Sequence, residues 1–257
     1  MTMPMYLTEG QERKSMEIQE ITLPVNEIIP FSNVDGRGNR TSIFVQGCNL
    51  NCVYCHNPET IKLPCEETQE TNYTIKELLS IIKKYGPYIR GITVSGGEAT
   101  LYSTYLTQLF GEVKKLGLTC YIDTNGLFNL EKMEALIPIT DKFLFDIKGI
   151  NNLEKVTRKK QVNSFDNLEY LLKLNKVEEV RTVCINEYID LESTVKEVSM
   201  RLRKYDDVIY KLIRVHHRGL TLNQKELVQG FVPSTKEMVH LENLAKSIGV
   251  KNVMSIF

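Results

Sequence analysis

The chain has 257 residues, of which 42% are apolar and 25% are charged, values that are ordinary for a soluble globular protein and fit one large α/β domain. Its 32 basic residues balance 32 acidic residues, so the net charge gives no reason to expect binding to nucleic acid or to a membrane. No apolar run could span a bilayer, and the first residues lack the apolar core of a secretory signal, so we expect a cytoplasmic protein with reduced thiols.

Strand and helix patterns alternate about six times after a polar N-terminal segment, residues 1–20, which we predict to be a loosely ordered arm. The predicted strands are short apolar runs at residues 42–46, 92–95, 119–124, 142–146, 180–185, 208–213 and 250–255. The predicted helices cover residues 74–85, 105–116, 130–137, 165–174, 191–204 and 234–248. This alternation predicts parallel strands joined by right-handed helical crossovers.

Polar and reactive residues follow the carboxyl ends of these predicted strands, where active sites gather in parallel α/β folds. In chain order they are Cys48 after the first strand, Ser95–Glu98 after the second, Asp123–Asn125 at the end of the third, Asp146 and Lys148 at the end of the fourth, and His216 after the sixth. Arg181 is instead a charge inside an apolar strand, and it needs a partner if it is buried.

Three of the six cysteines, Cys48, Cys52 and Cys55, crowd into one predicted loop with the spacing C-x3-C-x2-C. Three thiolates at this spacing can bind three corners of an iron–sulfur cube and leave the fourth iron open, as a catalytic metal requires. A zinc site with His56 as fourth ligand is an alternative, although zinc motifs usually contain a second C-x2-C pair. Three free structural thiols are a further alternative.

With an aromatic residue, Tyr54, before the last cysteine, this motif resembles that of the radical S-adenosylmethionine (SAM) superfamily. The flanking segments resemble those of glycyl-radical-enzyme activating enzymes, the relatives of pyruvate formate-lyase activase. The matching segments are VDGRGNR at residues 34–40, CHNP at 55–58, SGGEA at 95–99, DTNG at 123–126 and DIK at 146–148. The resemblance extends in order from about residue 34 to His216, which is most of the chain.

The resemblance implies that the three cysteines hold one [4Fe–4S] cluster and that SAM binds at its open iron. The residues that would form the SAM pocket are Tyr54, His56, Gly96, Gly97, Glu98, Asp123, Asn125, Asp146, Lys148, Arg181 and His216. The glycine pair lacks Cβ atoms, so backbone carbonyls could approach the methionine ammonium. Lys148 would pair with the SAM carboxylate and serve in catalysis, and Asp146 would orient it or meet the sulfonium.

Several of these residues also have a purely structural interpretation. Gly96 and Gly97 could form a tight turn, and Glu98 could cap the next helix. Asp146 and Lys148 could be an ordinary ion pair at a strand end. His56 alone could be a surface histidine, and of the adjacent histidines after the sixth strand only His216 matches the family position.

The family reaction is the reductive cleavage of SAM at the cluster, followed by abstraction of a Cα hydrogen from a glycine of a partner glycyl radical enzyme under anaerobic conditions. A flavodoxin or ferredoxin-type protein would supply the electron. Only Cys65 lies within residues 57–73, so we expect one cluster and the short form without a ferredoxin-like insert. Two alternatives remain: a radical SAM enzyme acting on a small molecule or another peptide, and a non-catalytic zinc-binding protein.

Two further expectations come from the resemblance. A monovalent cation would lie near the SAM sulfonium, held at the positions of Asp123, Thr124, Leu144 and Asp146. Arg37 stands where the family usually has proline, and Asn39 where it has an apolar or small residue, which puts the identity of the partner in doubt. We predict an α/β fold overall, a single-domain partial (β/α)6 barrel of the TIM type with parallel strands, over residues 21–257.

Overall fold

The structure is a computed structural model, and it describes residues 21–151, 153–160 and 163–257. The predicted N-terminal arm, residues 1–20, lies outside the described residues. The strands are β1 (Thr22–Ser32), β2 (Arg40–Val45), β3 (Thr71–Thr74), β4 (Gly91–Gly96), β5 (Thr119–Thr124), β6 (Lys142–Asp146), β7 (Val177–Cys184), β8 (Ile209–Arg214) and β9 (Val253–Ile256). The helices are α1 (Ile75–Tyr85), α2 (Ser103–Lys115), α3 (Leu130–Met133), α4 (Leu136–Ile139), α5 (Leu153–Thr157), α6 (Phe165–Lys173), α7 (Leu191–Leu202), α8 (Leu222–Val228) and α9 (Thr235–Ile248).

Within the described residues the strands form one sheet in the order β3-β1-β2-β4-β5-β6-β7-β8-β9. Every neighbouring pair from β2 to β9 is parallel, with helices in the connections, which confirms the predicted partial barrel. The prediction of parallel strands alone was incomplete, because β1 pairs antiparallel with both β2 and β3. Since β3 and β9 are the two edges of the sheet, the barrel is open.

The hydrophobic core lies between the sheet and the helices. One row of paired residues, Ile43, Val94, Ile122 and Phe143, crosses four strands and is fully buried. It belongs to the same apolar cluster as the buried face of α2. Because successive strand residues point to opposite faces, the polar neighbours of this row, such as Asp123, point to the inside of the barrel. The sheet therefore places a helix-covered core outside and polar side chains inside.

The helix ends follow local sequence signals. Thr74 and Glu77 form a reciprocal capping box at the start of α1, and Ser234 and Glu237 form another at the start of α9. Gly249 ends α9 in the left-handed conformation. The prediction of one helix over residues 130–137 was wrong: the segment forms α3 and α4, and Pro138 lies inside the first turn of α4, where a missing N–H costs no helical hydrogen bond.

Candidate active site

The three clustered cysteines lie on the loop that follows β2, which we call the cysteine loop (residues 47–56). Cys52 is buried, and Cys48 and Cys55 are half-buried. Two backbone hydrogen bonds tie its start to the following segment, from Gly47 N to Thr60 O (2.8 Å) and from Cys48 N to Ile61 O (3.0 Å). The first part of the segment that follows the cysteine loop is therefore hydrogen-bonded to the start of that loop.

A second set of bonds holds the middle of the cysteine loop. Asn51 N donates to Thr157 O (3.0 Å) and Val53 N donates to Val156 O (2.9 Å), so the end of α5 supports the loop. Neither partner carried a signal in the sequence, because backbone bonds to a short helix leave no residue pattern. The loop is thus held by backbone hydrogen bonds at its start and in its middle.

Burial raises the pKa of the Cys48 thiol to about 12 and that of Cys52 to about 11, and it also raises the pKa of Cys55. These thiols become good ligands only when a metal displaces their protons. No group of three or more His, Cys, Asp or Glu side chains in the described residues converges on a single metal ion. A cubic cluster has a different requirement, since each cysteine binds a different iron.

Glu98 is 1% exposed and accepts four hydrogen bonds. Its donors are Thr100 N (3.1 Å), Thr100 Oγ1 (2.6 Å), Thr124 Oγ1 (2.7 Å) and Asn125 N (2.8 Å). Burial raises the pKa of this carboxyl, while the four donors favour its charged form. The cap interpretation is confirmed, because Glu98 caps the turn after β4 and also joins the ends of β4 and β5. Both of its oxygens are occupied.

Asn125 connects this junction to the cysteine loop. Its Nδ2 donates to Asn49 Oδ1 (2.7 Å) and lies 3.9 Å from Cys48 Sγ. The structure therefore places Asn125 beside Cys48 of the cysteine loop.

The glycine pair lies where β4 meets the cysteine loop. Gly96 has a φ of +102°, and a Cβ on Gly97 would collide with the carbonyl of Gly47. Glu98 N donates to that same carbonyl at 2.8 Å. The tight-turn interpretation is confirmed, and close approach of the loop's own backbone is a sufficient reason for glycine at position 97.

Asp146 and Lys148 form the ion pair expected at the end of β6, with Lys148 Nζ 2.8 Å from Asp146 Oδ2. Burial opposes both charges, but Lys148, with Arg181, lowers the pKa of Asp146, and Asp146 raises that of Lys148. Lys148 Nζ also lies 5.8 Å from the ring centre of Tyr54. Both side chains therefore stay charged, and Lys148 lies near Tyr54 of the cysteine loop.

His56 and His216 stack with ring centres 4.1 Å apart and planes 4° apart. Burial lowers the pKa of His56 to about 4 and also lowers that of His216. The two rings are therefore neutral near pH 7, which permits their stacking. The contact joins the loop after β8 to the cysteine loop.

Arg181 has two acidic partners inside the barrel. Its Nη1 donates to Asp123 Oδ2 (2.8 Å), and its Nε pairs with Glu179, which also pairs with Lys211. Burial raises the pKa of Asp123 to about 6 against the effect of Arg181, whereas Asp123 and Glu179 raise the pKa of Arg181 despite its burial. Sequence reasoning missed Glu179 and Lys211, although each is a charge within an apolar strand, the same signal that singled out Arg181.

The two departures from the family pattern lie away from the cysteine loop. Arg37 Nε is 3.0 Å from Glu178 Oε1 at the start of β7, and Asn39 Nδ2 donates to Tyr88 O (2.9 Å). Both contacts are near the amino ends of the strands, whereas the cysteines lie at the carboxyl end of β2.

Three buried polar atoms at the site have no hydrogen-bond partner among the described residues. They are Tyr54 Oη, His56 Nε2 and Asp146 Oδ1, and others occur elsewhere at Glu70, Thr194, Ser199 and Ser255. Because buried polar atoms are nearly always bonded, those beside the cysteine loop mark a place for a polar ligand. SAM offers amino, carboxylate and adenosine groups of this kind, so the residues fit it.

A family model for the Radical SAM superfamily matches residues 42–198, more than half of the chain. The chain belongs to the Radical SAM superfamily. Membership makes it an enzyme with a [4Fe–4S] cluster and SAM as cofactors, and does not support the alternative of a non-catalytic zinc-binding protein.

Two relatives place this radical SAM enzyme with the activases. It is 39% identical, over 93% of the chain and 98% of the relative, to a Haemophilus influenzae protein whose name provisionally assigns it as a glycyl-radical enzyme activating enzyme. It is 32% identical to the pyruvate formate-lyase-activating enzyme of Staphylococcus aureus, over 76% of this chain and 82% of that one.

The fold is also that of the crystal structure of QueE from Escherichia coli, with a TM-score of 0.51, 19% identity and coverage of 80% of this chain and 88% of that one. Across the described residues, no helix has the length and apolar character needed to cross a bilayer.

Proposed function

We propose that this radical SAM enzyme activates a glycyl radical enzyme by removing a Cα hydrogen from a glycine of that partner. The observation that carries the proposal is the cysteine loop bordered by three buried, unpartnered polar atoms on Tyr54, His56 and Asp146. The relatives with activase names support a protein glycine as the target. The open sheet, whose edges among the described residues are β3 and β9, can admit a peptide segment.

Cys48, Cys52 and Cys55 would each hold one iron of the cluster. When bound, the cluster would supply one electron for the cleavage of SAM to methionine and a 5′-deoxyadenosyl radical, and this radical would take the glycine hydrogen to become 5′-deoxyadenosine. Lys148, held charged by Asp146, would pair with the SAM carboxylate.

Tyr54 Oη and His56 Nε2, which are buried without a hydrogen-bond partner among the described residues, would bind polar groups of SAM. His216 would hold the His56 ring in position through the stacking contact. Four further residues would support the pocket through their contacts with the cysteine loop and at the ends of β4 and β5: Gly96, Gly97, Glu98 and Asn125.

A monovalent cation near the sulfonium is a separate hypothesis. Asp146 Oδ1 is a buried carboxylate oxygen without a partner, which suits a hard cation. Asp123 Oδ2 already accepts hydrogen bonds from Arg181 and Ser95, so a cation bound there would have to share this oxygen with them. Rates of SAM cleavage in potassium, sodium and choline salts would test it: equal rates in all three would reject it.

We also propose that the electron donor is a flavodoxin or ferredoxin-type protein and that the enzyme works anaerobically in the cytoplasm. A thiolate-bound cluster with an open iron is exposed to oxidation, so a reducing compartment suits it.

The experiment is anaerobic reconstitution with iron and sulfide, reduction by dithionite, and incubation with SAM and candidate glycyl radical enzymes. We expect 5′-deoxyadenosine and a glycyl doublet in the electron paramagnetic resonance (EPR) spectrum. The Cys52→Ala variant and a partner whose target glycine is replaced by alanine are the controls. SAM cleavage without a doublet for any partner, together with turnover of a small molecule, would favour the alternative radical SAM function.

A further inference from the structure

A groove of about 510 Å³ lies beside the cysteine loop. Its walls include Cys52 of the loop, Lys62 after it, Arg158 at the end of α5, and Gln224 and Leu227 of α8. Of the residues assigned to the cluster and SAM, only Cys52 lines this groove. A protein bound here would therefore lie against a cluster ligand and leave the SAM pocket free.

The charge of the groove is positive although the chain as a whole is neutral. Lys62 and Arg158 are its charged lining residues, and no Asp or Glu of the described part of the chain lines it. Arg158 makes no ion pair with the described residues, and Lys159 and Lys160 follow it in the chain. Residues 158–160 are therefore a basic segment of three exposed cations, of which Arg158 lines the groove. Lys62 pairs with Glu67, but both side chains are mostly exposed, so this pair is weak and screened.

The residues just before the basic segment are hydrogen-bonded to the cysteine loop. Thr157 and Val156, which accept hydrogen bonds from Asn51 and Val53 of the cysteine loop, immediately precede Arg158. On the opposite wall, Gln224 Nε2 donates to Cys55 O (3.3 Å) and lies 3.5 Å from Cys52 O. Hydrogen bonds therefore join the cysteine loop both to the end of α5, next to the basic segment, and to α8.

We propose that this groove and the basic segment 158–160 form the docking site for a small acidic electron-carrier protein. The inference rests on the proposed function, because only a cluster that must be reduced needs such a carrier. The reduced carrier loses one electron to the cluster and is itself oxidised by one electron, with no bond made or broken. Opposite charges on the two surfaces would steer the carrier to the loop and speed the encounter.

The test compares two double charge reversals of equal size. Arg158→Glu with Lys159→Glu alters the docking site. Lys83→Glu with Lys84→Glu is the matched control on the last turn of α1, which leads into the amino end of β4, at the end of the barrel opposite to the cysteine loop. All four side chains are exposed, so both variants should fold.

The first readout is binding of an oxidised flavodoxin, and separately of an oxidised ferredoxin, to the reconstituted enzyme by fluorescence anisotropy. We expect the dissociation constant to rise at least tenfold for the docking variant, to change less than twofold for the control, and to rise with salt for the wild type. Equal binding of the wild type and the docking variant to both carriers, or binding that is insensitive to salt, would overturn the proposal.

The second readout is 5′-deoxyadenosine formation driven by the reduced carrier or by dithionite. The docking variant should lose at least tenfold of the carrier-driven rate and less than twofold of the dithionite-driven rate. Equal losses with both reductants would show that the variant damages the enzyme and would contradict the docking role. An absence of SAM cleavage by the wild type with dithionite would reject the proposed function, while the binding measurement would still decide the docking surface.

Discussion

Arg181 on β7 donates a hydrogen bond to Asp123 on β5 across the intervening strand β6, with Nη1 2.8 Å from Oδ2. The sequence predicts both residues to bind SAM or a cation, yet in the structure they form an ion pair with each other inside the barrel. Arg181 also pairs with Glu179, and Glu179 pairs with Lys211. Four charged side chains on three strands therefore form one network. Substitutions at these positions should therefore change stability as well as ligand binding.

The Asp123→Asn variant should lower the free energy of unfolding by about 1–3 kcal/mol. Asn Oδ1 can still accept from Arg181, but the buried guanidinium loses one of its two carboxylate partners and keeps only Glu179. Urea unfolding of the protein without cofactors, followed by circular dichroism, measures this. Asp166→Asn, at an exposed position of α6, is the control and should be neutral. Unchanged stability combined with a large loss of SAM affinity would assign Asp123 to ligand binding alone.

The Lys148→Met variant should weaken SAM binding by a factor of about 10–100, the equivalent of one charge-assisted hydrogen bond of about 1.5–3 kcal/mol. Its iron and sulfide content should stay the same, because Lys148 contacts Asp146 rather than the cysteines. Isothermal titration of SAM into the reconstituted enzyme gives the affinity, with exposed Lys173→Met as the control. An unchanged affinity for SAM would mean that Lys148 and Asp146 form only a structural ion pair at the end of β6.

The Glu98→Gln variant should lower the free energy of unfolding by about 2–3 kcal/mol, because the amide NH2 would face one of the four donors that the carboxylate now accepts. The measurement is urea unfolding, with exposed Glu134→Gln on the neighbouring surface as the control. A loss no larger than that of the control would mean that the β4 and β5 ends do not depend on this carboxylate.

Cys65 should be the first thiol of the reconstituted enzyme to react with iodoacetamide. It is exposed, and the Glu67 backbone N–H lowers its pKa, whereas burial raises the pKa of Cys120 and Cys184 to about 12. Peptide mass spectrometry after timed labelling at pH 7.5 gives the order, and unfolded protein, in which all thiols react, is the control. The Cys65→Ala variant should retain its full iron content. Faster labelling of Cys184 than of Cys65 would contradict the expected burial.

The sequence determined the order of the barrel strands and helices because each element has a local signature. Apolar runs of strand length, capping boxes at Thr74 and Ser234, and glycines at strand ends all depend on neighbouring residues. β1 and β3 escaped prediction because β1 contains Pro24 and Pro30 and β3 is four residues long, so both depend on pairing with another strand.

The sequence also singled out the residue types of the site, since a tight cysteine motif and polar residues at strand ends are visible without a structure. Only the tertiary structure decided how they are paired. Glu98 meets Asn125, His56 meets His216 and Gln224 meets the cysteine loop across 27, 160 and up to 172 positions of the chain. Such contacts depend on strand register and on the close approach of distant segments, which no local pattern encodes.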